Sequence, residues 1–148
     1  MVKNELPWVE APCWQLSKHA DYTKFFVTVC RLDLGPDAQI VLDVTSPSGQ
    51  VEQSLRPYLA STRKPFLSSR MNKYVLPFDQ ASMDILASLI NTHAAPEVCN
   101  EILVIRDDEV VLSWYDFPDD PFRVVGSVSE QSITTFATEL GSTVEREE

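Results

Sequence analysis

Glu101-Ile-Leu-Val-Ile-Arg106-Asp-Asp-Glu109-Val-Val-Leu-Ser-Trp-Tyr115 is the stretch whose reading decides the fold. Two apolar runs, Glu101–Ile105 and Val110–Tyr115, flank four charged residues. Short runs rich in β-branched side chains, separated by a polar turn, predict a β-hairpin. The turn lacks glycine. Asp107 and Asp108 replace it, because aspartate tolerates the left-handed backbone that a tight turn needs.

Toward the C-terminus, Trp114-Tyr-Asp-Phe-Pro-Asp-Asp-Pro-Phe122 alternates aromatics with acids. It reads as a loop, followed by a short strand over Phe122–Val125. Ser127 and Glu130 read as a capping box for the last helix. Ile133, Phe136, Ala137 and Leu140 then repeat at helical spacing. Gly141 stops that helix, and residues 142–148 read as a frayed tail.

Toward the N-terminus, Asp79 caps a helix whose stripe is Met83, Leu86, Ala87 and Ile90. Phe78 and Met83 hold the two positions of a hydrophobic staple. That helix should end near His93, before Pro96. Lys73–Phe78 reads as a strand, and Thr62–Met71 as a basic connection anchored by Phe66 and Leu67. Val51, Leu55, Tyr58 and Leu59 fit a helix interrupted at Pro57. Gln39–Thr45 reads as a strand with Ile40, Leu42 and Val44 on one face. Tyr22–Leu32 is apolar on both alternating faces, which suits a covered strand. Those two strands are expected to form a hairpin. Residues 1–20 read as an arm that packs Trp8, Pro12 and Trp14 on the core, with a helical turn over Gln15–Asp21.

The 148 residues are 44% apolar and 23% charged, enough for one ordinary core without disulfides or metal. No apolar run approaches the ~20 residues that span a bilayer. The first residues, Met1-Val-Lys-Asn-Glu-Leu-Pro, lack the basic and then apolar pattern of a signal peptide. A cytoplasmic location is expected, with Cys13, Cys30 and Cys99 as free thiols.

The net charge of −10 is unevenly placed. Residues 97–148 hold thirteen acids and three bases, whereas residues 1–96 are balanced at nine each. Gln53–Phe78 has no acid and five bases, Arg56, Arg63, Lys64, Arg70 and Lys73. This acidity argues against direct nucleic-acid binding, whose affinity comes mostly from neutralised phosphates. It favours a protein partner with a basic surface.

Chemical candidates are few. Cys13, His19, His93 and Cys99 supply the donors of a zinc site, but at spacings longer than those of zinc folds. A nucleophilic Cys30 or Cys99 needs a base, and no motif supplies one. Cys30 reads as core, whereas Cys99, just before a strand, reads as a thiol open to solvent. The acids of the 114–122 loop lack the glycine of a calcium loop. No catalytic residue, metal site or cofactor is assigned. The contact residues expected for a partner are Trp114, Tyr115, Asp116, Phe117, Asp119 and Asp120. Aromatics bury much area at interfaces, and acids select basic partners.

Helix Ser82–His93, hairpin Glu101–Tyr115 and helix Ser129–Leu140 together resemble the α+β fold of type III secretion chaperones. The resemblance implies a small, acidic, cytoplasmic, non-enzymatic protein, often a dimer. The expected architecture is a single α+β domain, with a mostly antiparallel sheet covered by two or three helices. The leading function is a chaperone-like or regulatory protein-binding module. The alternatives are an immunity-type or nucleic-acid-mimic inhibitor of a basic enzyme, and a thiol- or metal-dependent enzyme.

Overall fold

The computed structural model describes residues 8–17, 21–44, 48–59, 72–119 and 121–148. Its centre is the expected hairpin, β4 (Glu101–Arg106) and β5 (Glu109–Trp114). Asp107 and Asp108 turn it with φ of 52° and 62°, the left-handed values that aspartate tolerates without glycine.

Five more strands extend the sheet on both sides: β1 (Cys13–Ser17), β2 (Gln39–Val44), β3 (Asn72–Pro77), β6 (Phe122–Val125) and β7 (Thr143–Glu147). The order is β3-β2-β4-β5-β6-β1-β7, and every pairing is antiparallel. The fold is therefore α+β, as expected.

Among the described residues there are five α-helices: α1 (Phe25–Thr28), α2 (Gly49–Leu55), α3 (Gln80–Thr92), α4 (Ala95–Val98) and α5 (Glu130–Leu140). The main core lies between them and one face of the sheet. There Ile40, Leu42, Ile102, Val104, Leu112, Trp114 and Phe122 meet Phe25, Met83, Leu86, Ile90, Ile133 and Phe136. Phe25 is its hub, edge-on to Phe26, Trp114, Phe122 and Phe136.

Local capping fixes the long helices. Asp79 accepts from the Ser82 N–H at 2.9 Å, and buried Met83 fills its staple position beside half-buried Phe78. The helix stops at Thr92, and Pro96 opens the short α4, which the sequence did not signal. The α2 stripe ends before Pro57 in a single tight turn, Arg56–Tyr58, as expected. For α5 the cap is Ser129, which accepts from the Ser132 N–H at 3.2 Å. Ser127, expected as the cap, is exposed in the turn before it. Gly141, at φ 73°, ends α5.

Three expectations are corrected. Tyr22–Leu32 is helical, with α1 between two 3-10 turns, so it forms no hairpin with β2; β2 pairs with β3 and β4. An apolar run with two covered faces does not distinguish a central strand from a buried helix. Here Asp21 starts the turn by accepting from the Thr23 N–H, and Phe25, Phe26, Thr28 and Val29 are all buried. Residues 13–17 are a strand, not the start of a helical turn. Residues 143–147 are likewise a strand, paired along β1, and not a frayed tail. Ser142 ties it by donating to the Ser17 carbonyl at 2.7 Å, and Arg146 lies 4.7 Å from the centre of the Trp14 ring.

The other face of the sheet has two halves. One directly paired row crosses all strands: Val75, Val41, Leu103, Ser113, Arg123, Gln15 and Glu145. It is apolar on β3, β2 and β4, and polar from β5 to β7. Val41, Leu103 and Ile105 form a second small core there with Val75, Val110 and Tyr115.

Candidate protein-binding surface

The aromatic and acidic residues of the 114–122 stretch part company in the fold. Trp114 ends β5 with its side chain fully buried, and Phe122 begins β6 beneath it. Phe117 turns back onto Trp114. Its ring packs edge-on against Trp114 at 4.7 Å and Tyr22 at 5.6 Å, and tilted against Phe26 at 6.0 Å. Trp114 and Phe117, expected as partner contacts, are therefore core residues. The physical reason is that the sheet's main core extends under the loop, and burial there removes far more apolar area from water than exposure at a rim retains.

The loop backbone is pinned as well. The Phe117 N–H donates to the Asn100 carbonyl at 2.8 Å, and Asn100 donates to the Asp43 carbonyl at 2.7 Å. The Asp119 N–H closes a turn on the Asp116 carbonyl at 2.8 Å. Asp116 adopts φ 52°, which points the chain back toward the core. With the rings inside, Asp116 and Asp119 are left exposed. Asp120, the remaining expected contact, lies outside the described residues.

Tyr115 sits at the edge of the second small core, half-buried. Burial, with the carboxylates of Glu101 and then Asp43 nearby, pushes its hydroxyl well above the ordinary tyrosine range. Tyr115 thus lies beside Glu101 of β4 and Asp43 of β2, which are paired across the sheet.

The other acidic cluster, Asp107, Asp108 and Glu109, is exposed at the hairpin tip. It lies at the opposite end of β5, about 20 Å away at ~3.4 Å per residue. The hairpin-tip acids are therefore separate from Asp116 and Asp119. Of the bases, Arg56 is exposed, and Arg63, Lys64 and Arg70 lie outside the described residues.

Among the described residues, the thiol and metal candidates do not assemble. Cys99 is fully buried in the main core, where burial raises its pKa strongly, so the solvent-facing thiol expected there is corrected. Cys99 caps α4, its N–H donating to the Ala95 carbonyl at 3.0 Å. Cys13 is buried on the other face of the sheet, and burial with nearby Glu147 raises its pKa. Cys30 is pushed up to about 11 by burial first, and then by Asp79 and Asp84. A raised pKa leaves little of the thiolate that a nucleophile or metal ligand needs. His93 ends α3, with Nε2 at 3.3 Å from Gln50 Oε1. His19 lies outside the described residues. Among the described residues, no three His, Cys, Asp or Glu side chains are placed to hold a metal.

A cleft of about 670 Å³ opens at the far ends of β2 and β3, lined by Asp37, Gln39, Tyr58, Leu59, Pro77 and Asp79 among others. It is open to solvent and contains none of the expected contact residues. Among the described residues, no helix is long and apolar enough to cross a membrane. No protein-family model, curated protein or solved structure matches this chain.

Proposed function

We propose that the chain is a non-catalytic protein-binding module whose partner presents a basic surface to the loop of Asp116 and Asp119. The observation that supports this reading is the way the loop is held. Trp114, Phe117 and Phe122 anchor the loop in the core, and its backbone hydrogen bonds hold the segment that carries Asp116 and Asp119. A rigid surface loses little conformational freedom on binding, which favours affinity. Carboxylates on it steer a cationic partner and fix its register.

This reading narrows the contact set to Asp116, Asp119, Asp120 and the edge of Tyr115. It also favours a folded basic target over an extended apolar one at this loop, because the aromatics that would grip apolar chain are inside. A chaperone-like role and an inhibitor role for a basic enzyme both remain within it. They separate by stoichiometry: one folded enzyme per chain for the inhibitor. The test is capture from a cell extract with wild type and a loop-neutralised variant as baits. Equal recovery of the same basic protein by both would overturn the reading.

A further inference from the structure

The segment before β1 binds the sheet like a peptide ligand. Val9 is 2% exposed, although Trp8, Glu10 and Ala11 around it are exposed. Its N–H donates to Ser113 Oγ at 3.2 Å, and its carbonyl accepts from Arg123 Nη1 at 3.0 Å. The other Arg123 amino group pairs with Glu147 at 3.1 Å, which fixes the guanidinium. The Trp8 ring covers that guanidinium at 4.4 Å. Ser113 and Arg123 are neighbours in the row that crosses the outer face, on β5 and β6. Both strands are already paired on each side, so the segment is read by side chains and not by strand addition.

These are the parts of a site for extended chain: a socket for one aliphatic side chain, a donor and an acceptor for its backbone, and a cation for an aromatic ring. We propose that this outer face of β5 and β6 is a docking site for a partner segment carrying an aromatic residue followed by an aliphatic one, and that residues 8–10 are its intramolecular occupant. The partner displaces the occupant, which makes the segment an autoinhibitory strap. The site shares no residue with the acidic loop, so either assignment can fail alone.

The test uses the full chain and a fluorescein-labelled synthetic peptide copying residues 6–12, with binding read by anisotropy. In the wild type the tethered strap competes at an effective concentration on the order of mM, so the peptide binds weakly. Trp8→Ala with Val9→Ser loosens the strap and should tighten peptide binding by about tenfold or more. Adding Arg123→Ala or Ser113→Ala should abolish that gain. Trp8→Ala alone, at an exposed position, gives a smaller gain and serves if the double variant unfolds. A folded strap variant that binds no better than wild type overturns the proposal, as does a gain indifferent to Arg123→Ala. A strap-dependent dimer in sedimentation would also overturn it, because the occupant would then be a second copy's strap.

Discussion

Trp114 and Phe122 stack with ring centroids 4.3 Å apart and 22° between their planes. They flank the acidic loop, so one aromatic contact closes its base. Phe117 packs edge-on against Trp114 at 4.7 Å. This arrangement turns Trp114, Phe117 and Phe122 inward and leaves Asp116 and Asp119 exposed.

Phe117→Ala should therefore be costly although the residue lies in a loop. It removes a side chain that is 4% exposed and leaves a cavity against Trp114. The expected loss is about 3–5 kcal/mol, read from urea denaturation. A loss below about 1 kcal/mol would mean that the loop is not part of the core.

Gly126 limits the approach of the chain into β1. A Cβ there would meet the Pro12 carbonyl oxygen at 2.4 Å and its carbon at 2.9 Å, both backbone atoms. Gly126→Ala should cost about 1–3 kcal/mol by forcing the backbones apart. Amide exchange should quicken first at Val9 and along β1.

The start of α5 separates two serines. Ser129→Ala removes the cap on the Ser132 N–H and should cost about 0.5–2 kcal/mol. Ser127→Ala, at an exposed turn position, should stay within about 0.5 kcal/mol. Thermal melts of the two variants side by side check this.

The buried thiols set an alkaline limit. Below the ordinary thiol pKa of 9.0 both folded and unfolded chains keep their thiol protons. Above it the unfolded chain releases them, while Cys30 holds its proton up to about 11 and Cys13 and Cys99 are also raised. The folded state then binds more protons, so stability is lost as pH rises through this window. The urea midpoint should fall between about pH 8.5 and 11, and fall less in Cys30→Ala. An identical decline in both proteins would contradict the role given to Cys30.

Periodicity made much of this fold legible. The hairpin at Asp107–Asp108, the Asp79-capped helix, the strand at Phe122 and the stripe of α5 all carry local signals that agree with their tertiary surroundings. Other elements did not, α1, β1, α4 and β7 among them. Phe25-Phe-Val-Thr28 has strand-like residues, but a helix apolar all round is stable once buried on every side, and burial is set by partners distant in sequence. Thr143-Val-Glu-Arg-Glu147 is too polar to read as a strand. It pairs because Gly141 reverses the chain beside β1 and because edge strands carry charge. At the loop, the acids were legible as exposed, but the direction of Trp114 and Phe117 was not. The face of a strand that becomes core depends on where Phe25 and Phe136 pack, and Arg123, alone among acids in the sequence, gives no sign that it holds Val9.

The measurement that tests the central claim most directly pairs capture with stability for Asp116→Asn/Asp119→Lys. Asparagine tolerates the left-handed backbone of Asp116, so the charge is removed with little strain. Both sites are exposed, so melting should remain within about 2 °C of wild type. Recovery of the basic partner at low salt should drop about tenfold or more, and added salt should weaken wild-type capture toward the same level. Undiminished capture by a stably folded variant would contradict the assignment of this loop as the binding surface.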